Sequence, residues 1–107
     1  MSEVLLVVTT LPDRATAERI AEALVSARVA ACVNILAECT SVYRWQGKIE
    51  HACEVPMLIK TTRDAYVRLE ETLRTMHPYD VPEIVALPVT AGLPSYLDWV
   101  KQETKDQ

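Results

Sequence analysis

The side chains best suited to do chemistry in this chain crowd into Met76-His77-Pro78-Tyr79-Asp80-Val81-Pro82-Glu83. An imidazole, a phenol and two carboxylates stand there close together, and Pro78 and Pro82 fix the backbone between them. Polar groups held rigidly on a connection suit a binding site. The same residues also suit a stiff exit from a helix, with His77 beside its C-terminal carbonyls. His77 is also a good metal ligand in its own right.

Glu54 and Lys60 form a second candidate, as charges on an otherwise apolar strand. Six residues apart, they face one side unless Pro56 resets the phase. They make either an ion pair or, with Tyr79 and Glu83, the lining of a ligand cleft. A third cluster, Tyr43-Arg44-Trp45-Gln46-Gly47-Lys48, puts two aromatics and two cations at a hairpin tip. Trp, Tyr and Arg are the usual anchors of protein interfaces, so Tyr43 and Trp45 read as a subunit contact.

Other chemistries are missing from the sequence. With two glycines in the chain there is no phosphate-cradling G-x-x-x-x-G-K-[ST] and no G-x-G-x-x-G; H-E-x-x-H and C-x-x-C are absent too. Eleven basic residues against fifteen acidic ones give a net charge of −4, which disfavours nucleic acid as a partner. The longest apolar stretch, Ala27 to Ala37, is broken by Arg28 and Asn34 and falls short of the roughly 20 residues a membrane span needs. Cys32, Cys39 and Cys53 are odd in number and sit at no metal-finger spacing. The acidic start carries no secretory signal, so reduced thiols in the cytoplasm are the expectation. Cys32, in an aliphatic run, is expected inside the fold.

These residues need elements to position them. One domain over residues 1–107 is all that the length allows. Val4–Val8 reads as a central strand, and Asp13 as the cap of a helix with Ala17, Ile20, Ala21 and Leu24 on its apolar face. Val29–Ile35 and Thr40–Trp45 continue one strand-like course, which turns at Gly47 into a return strand, Ile49–Thr61. Pro56 inside that strand marks an edge or a bulge. Thr62 caps a second helix through Tyr66, Leu69, Leu73 and Met76, stopped by His77-Pro78. Val81–Val89 reads as a fourth strand. Ser95 and Asp98 resemble a capping pair for a third helix, with Trp99 packing it onto the body.

The order β-α-β-β-α-β with an extra C-terminal helix gives an α+β, ferredoxin-like architecture with a long central hairpin. Helices cover one sheet face only, yet the strands read as apolar on both. A bare face of several hundred Å² exceeds what monomers usually expose, so self-association is expected.

The motifs Ala30-Ala31-Cys32-Val33-Asn34-Ile35, Tyr43-Arg44-Trp45-Gln46-Gly47-Lys48-Ile49, Glu54-Val55-Pro56-Met57-Leu58-Ile59-Lys60-Thr61 and His77-Pro78-Tyr79-Asp80-Val81-Pro82-Glu83-Ile84 together resemble the CutA family of divalent-cation tolerance proteins. The likeness runs from about Leu5 to Trp99. It implies a homotrimer related in architecture to the PII signalling proteins, with sheets packed about a three-fold axis and the hairpin reaching a neighbour. It further implies an association with copper and other divalent metals, with no established enzymatic activity. Copper-ligating members carry a Cys at the end of the first strand and two histidines before Pro-Tyr. The matching residues here are Thr9, Met76 and His77, so one ligand of three is kept.

The function expected is therefore a non-enzymatic trimeric protein of metal tolerance, binding a metal ion or small ligand at subunit clefts. Copper held by His77 and Met76 alone would bind weakly, at about micromolar or poorer, since tight sites need about three or four protein ligands. The alternative is a small enzyme of the acylphosphatase type. Arg14 and Asn34 are available for it, but the loop Thr9 to Asp13 lacks the glycines of an anion cradle.

Overall fold

Asp13 and Thr62 cap helices, as their positions predict. The Asp13 carboxylate accepts the Thr16 amide at 2.7 Å, and the Thr62 hydroxyl accepts that of Ala65 at 3.3 Å. In the computed structural model, which describes residues 2–105, they open α1 (Arg14–Ser26) and α2 (Arg63–Met76). The strands are β1 (Val4–Leu11), β2 (Cys32–Ile35), β3 (Cys39–Trp45), β4 (Lys48–Thr62) and β5 (Val85–Pro88), and α3 (Pro94–Glu103) closes the chain.

All the pairings are antiparallel, in the order β2-β4-β1-β5, with β3 on the outer half of β4. On one sheet face Val7, Leu11, Val55, Met57 and Ile59 are buried beneath Ala17, Ile20 and Leu24 of α1 and Leu69 and Leu73 of α2. Period-two alternation sends Leu6, Val8, Leu58, Val85 and Leu87 to the other face, where the cross-strand pairs Val8–Leu58, Val8–Val85 and Leu6–Leu87 keep them together. Val85 and Leu87 are exposed. Among the described residues, only one end of that face is covered: Val100 of α3 packs there against Val4 and Ala31.

The α3 end is tied down by polar contacts. Thr62 meets Thr104 hydroxyl to hydroxyl at 3.3 Å, and Thr104 donates to the Val100 carbonyl at 2.9 Å. Arg28, just past α1 in the left-handed region (φ 61°), donates to the carbonyls of Gln102 and Lys105 at 2.9 and 3.1 Å. It thereby satisfies acceptors that the end of α3 leaves open.

β3 and the first half of β4 form the hairpin, and the chain extends over 44 × 25 × 23 Å. Its last pair is Trp45–Lys48, and Gln46 (φ 50°) and Gly47 (φ 81°) make the two-residue turn. Positive φ at both central residues matches the twist of the strands on either side.

Several sequence expectations need correction. Pro56 lies on no edge, because β4 is flanked by β1 and β2 there, in register with Thr10 without interruption. The extra residue is on the facing chain: Ile35 pairs Met57 and Cys39 pairs Glu54, so three residues, 36–38, oppose two. The Pro56 carbonyl accepts the Leu36 amide at 2.9 Å, so its nitrogen, which has no hydrogen to give, faces that same break. β1 runs on to Leu11, whereas the last strand starts only at Val85 and α3 starts from Leu93 and Pro94 without a side-chain cap. Trp99 is 42% exposed and stacks on Tyr96 (5.7 Å between ring centroids), leaving Val100 to pack the helix. Cys32 is only half-buried, on the uncovered side.

Candidate functional site

The cluster assembles where three elements meet: the end of β1, the middle of β4 and the segment that follows α2. His77 ends α2, its amide donating to the Leu73 carbonyl at 2.9 Å, and the residue is 7% exposed. Its Nε2 lies 2.8 Å from the Thr10 carbonyl, and the Tyr79 amide points to Nδ1 at 3.3 Å. A carbonyl only accepts and an amide N–H only donates, so the proton sits on Nε2 and the Nδ1 lone pair is taken. The ring is a neutral, fully engaged strut between β1 and the 77–79 turn.

Tyr79 stacks obliquely on that ring, 4.8 Å between centroids, and donates its hydroxyl to Glu54 Oε2 at 2.8 Å. Thr10 Oγ1 donates to the same oxygen at 3.2 Å. Glu54 is 8% exposed and its carboxylate forms no ion pair among the described residues. Burial, and then the Glu54 carboxylate, push the Tyr79 phenol well above its usual range, so it remains a donor. Oε1 of Glu54 makes no hydrogen bond among the described residues and remains free to accept one.

Burial lowers the His77 pKa below its ordinary 6.5, against the opposing pull of the Thr10 carbonyl and the Glu54 charge. The unfolded chain therefore binds this proton more readily than the folded one. Stability linked to His77 is fully present above about pH 6.5 and is lost as the pH falls through that value towards the lowered one. Urea midpoints measured from pH 7.5 to 5.5 should fall for the wild type and fall less for His77→Gln. Parallel curves for the two proteins would refute this account.

The sequence candidates separate in space. Glu54, Tyr79 and His77 come together, joined by Thr10, which spacing alone did not pick out. Lys60 does share a strand face with Glu54, but six residues place it about 20 Å away, where it donates to Asn34 Oδ1. There is thus no Glu54–Lys60 ion pair. Glu83 is exposed and makes no side-chain hydrogen bond among the described residues. Tyr43 and Trp45 stand exposed on the hairpin. The residues offered for acylphosphatase chemistry are far from such a role: Arg14 donates to the Leu36 carbonyl at 2.9 Å and Asn34 is held by Lys60.

The metal reading of His77 and Met76 does not fit the geometry. Both imidazole nitrogens are already bonded, and Met76 packs against the main core. Thr9, the third matching position, is fully buried with its hydroxyl unpartnered. No group of three or more His, Cys, Asp or Glu side chains converges on a metal position among the described residues.

A β-α-β-β-β-α-β sheet, in which β2 and β3 are two parts of one interrupted course along β4, covered by helices on one face, with a projecting hairpin and a hydroxyl-clamped carboxylate beside the end of β1, defines a ferredoxin-like α+β protein built around a small polar site. Comparison with known proteins narrows this further. The chain belongs to the CutA1 divalent ion tolerance protein family, whose model matches residues 5–103. It is 49% identical over 104 residues to the divalent-cation tolerance protein CutA of Thermus thermophilus, covering 97% of this chain and 99% of that one. It is also 49% identical over 96 residues to protein CutA of Mus musculus, 90% of this chain but 54% of the longer mouse protein. Among solved structures, CutA1 of the psychrotrophic Shewanella sp. SIB1 superposes with a TM-score of 0.94 at 45% identity, with 97% of each chain covered.

Proposed function

We propose that the chain acts as a non-enzymatic, cytoplasmic homotrimer in the response to divalent cations, with small-ligand clefts at its subunit boundaries. The observation that carries this reading is the uncovered sheet face: Leu6, Val8, Leu58, Val85 and Leu87 stay together on the side away from α1 and α2. Strand alternation along the unbroken β4 carries that side out along the hairpin to Tyr43 and Trp45, which pair with Glu50 and Lys48. Three copies closing this surface on one another would remove it from water and seat the aromatics on a neighbour. Glu54 shares the same side of β4, so its clamped carboxylate would lie beside the junction. The ligand would meet Glu54 Oε1 as acceptor, while His77 serves as a strut. The three unpaired cysteines suit a reducing compartment.

The test is solution mass, followed by two substitutions. Light scattering at micromolar concentration should give three times the 12.0 kDa of the chain. Trp45→Ala should weaken assembly more than Trp99→Ala, although both rings are equally exposed in the single chain. Trp99 already stacks on Tyr96 of its own α3, whereas Trp45 has no aromatic partner among the described residues and its exposed ring would pack on the neighbour. Interface aromatics typically cost about 2 kcal/mol or more on truncation. A monomeric wild type, or equal effects of the two substitutions, would sink the reading.

A further inference from the structure

We infer that His51 and Cys53 on the hairpin form a binding site for a soft monovalent metal ion of the Cu(I) type. The two residues are neighbours on one face of β4, at positions i and i+2, about 6.7 Å apart along the strand. Both are exposed, and neither side chain forms a hydrogen bond among the described residues. They contrast in this with His77, whose ring nitrogens are both committed. Among the described residues, His51 and Cys53 are the imidazole and thiol that share an exposed surface with their donor atoms unengaged.

The surroundings choose the ion. An imidazole and a thiolate complete the two-coordinate shell that Cu(I) accepts, and a thiolate is a ligand that selects soft ions. Zn(II) would need two further protein ligands for a closed tetrahedral site. The cross-strand neighbours on this face offer none: Thr40 stands opposite Cys53, Val42 opposite His51, and Arg44 and Ile49 come next. The Arg44 guanidinium, diagonal to His51, also opposes a double positive charge more than a single one. Binding releases the Cys53 thiol proton to solvent as the sulfur–metal bond forms, and the copper does not change oxidation state.

The site is independent of the proposed assembly, because alternation puts His51 and Cys53 on the side of the hairpin opposite Tyr43 and Trp45. Cys39 lies on the aromatic side, paired with Glu54, so it contributes nothing to the site and forms no disulfide with Cys53.

The test is a Cu(I) competition titration of the purified full chain against a chromogenic chelator, under a non-thiol reductant. The wild type should take one Cu(I) per chain, Cys53→Ser should lose it, and His51→Ala should weaken it at least tenfold. Cys39→Ser and His77→Ala should bind as the wild type does. NMR should show the His51 ring signals shifting on saturation while those of His77 stay in place. Unchanged binding by Cys53→Ser and His51→Ala, or equal losses in Cys39→Ser and Cys53→Ser, would overturn the site. Its failure would leave the trimer measurement unaffected, and a monomeric chain would still be open to this titration.

Discussion

Leu58→Asp should leave the protein monomeric. Leu58 stands in the middle of the uncovered sheet face, with Val8 on one side and Asn34 on the other. It is half-buried in the single chain, so an aspartate there keeps access to water and the subunit still folds. At a subunit boundary the same carboxylate would lose its hydration and gain no cation. An unpaired buried charge costs several kcal/mol, and closing a ring of three copies would meet that cost at every boundary. Sedimentation velocity should report the mass of one 12.0 kDa chain, with an unchanged far-ultraviolet circular dichroism spectrum. A trimer that survives Leu58→Asp would mean that the copies meet elsewhere.

The neighbouring residue should fail differently. Ile59 is fully buried, paired with Val7 on one side and Val33 on the other, beneath both covering helices. Ile59→Ala removes buried methyl groups and leaves a cavity that the flanking strands cannot close, at a cost of about 2–5 kcal/mol. That is a large share of the roughly 5–15 kcal/mol by which domains are stable. Urea unfolding in the Leu58→Asp background separates this loss from any loss of assembly. A midpoint shift equivalent to less than about 1 kcal/mol would show that the core has been misplaced. Adjacent positions on one strand thus report on two surfaces, one internal and one shared.

α1 and α2 were legible because their signals are local. Asp13 and Thr62 cap them, and Ala17, Ile20 and Leu24, or Leu69 and Leu73, recur at helical spacing. Errors came where a long-range partner decides. Thr9 and Thr10 resemble loop residues, yet both lie in β1, because β4 supplies a partner as far as Leu11. Val81 to Ile84 has strand-like composition, but β1 pairs only with Val85 to Pro88, and Pro82 has no amide hydrogen for a ladder. Of the site, the family motifs named Glu54, His77 and Tyr79. The bond that commits His77 joins it to a main-chain carbonyl 67 residues away, beyond the reach of any local pattern. Likewise, spacing placed Glu54 and Lys60 on one face without showing that the distance along the strand parts them.

The unequal count opposite Pro56, three residues against two, bears on how this hairpin can change over generations. It fixes which side of the outer arm each residue takes, with Tyr43 and Trp45 on one side and His51 and Cys53 on the other. A one-residue insertion or deletion in either arm would turn every residue beyond it to the opposite side. Such a change would hand the aromatics to solvent and bring the thiol inward. Tolerated length variation in this hairpin should therefore come in steps of two residues per arm, closed by the same two-residue turn. An odd step should persist only where a second one nearby restores the phase, which makes the arm a counter of its own insertions.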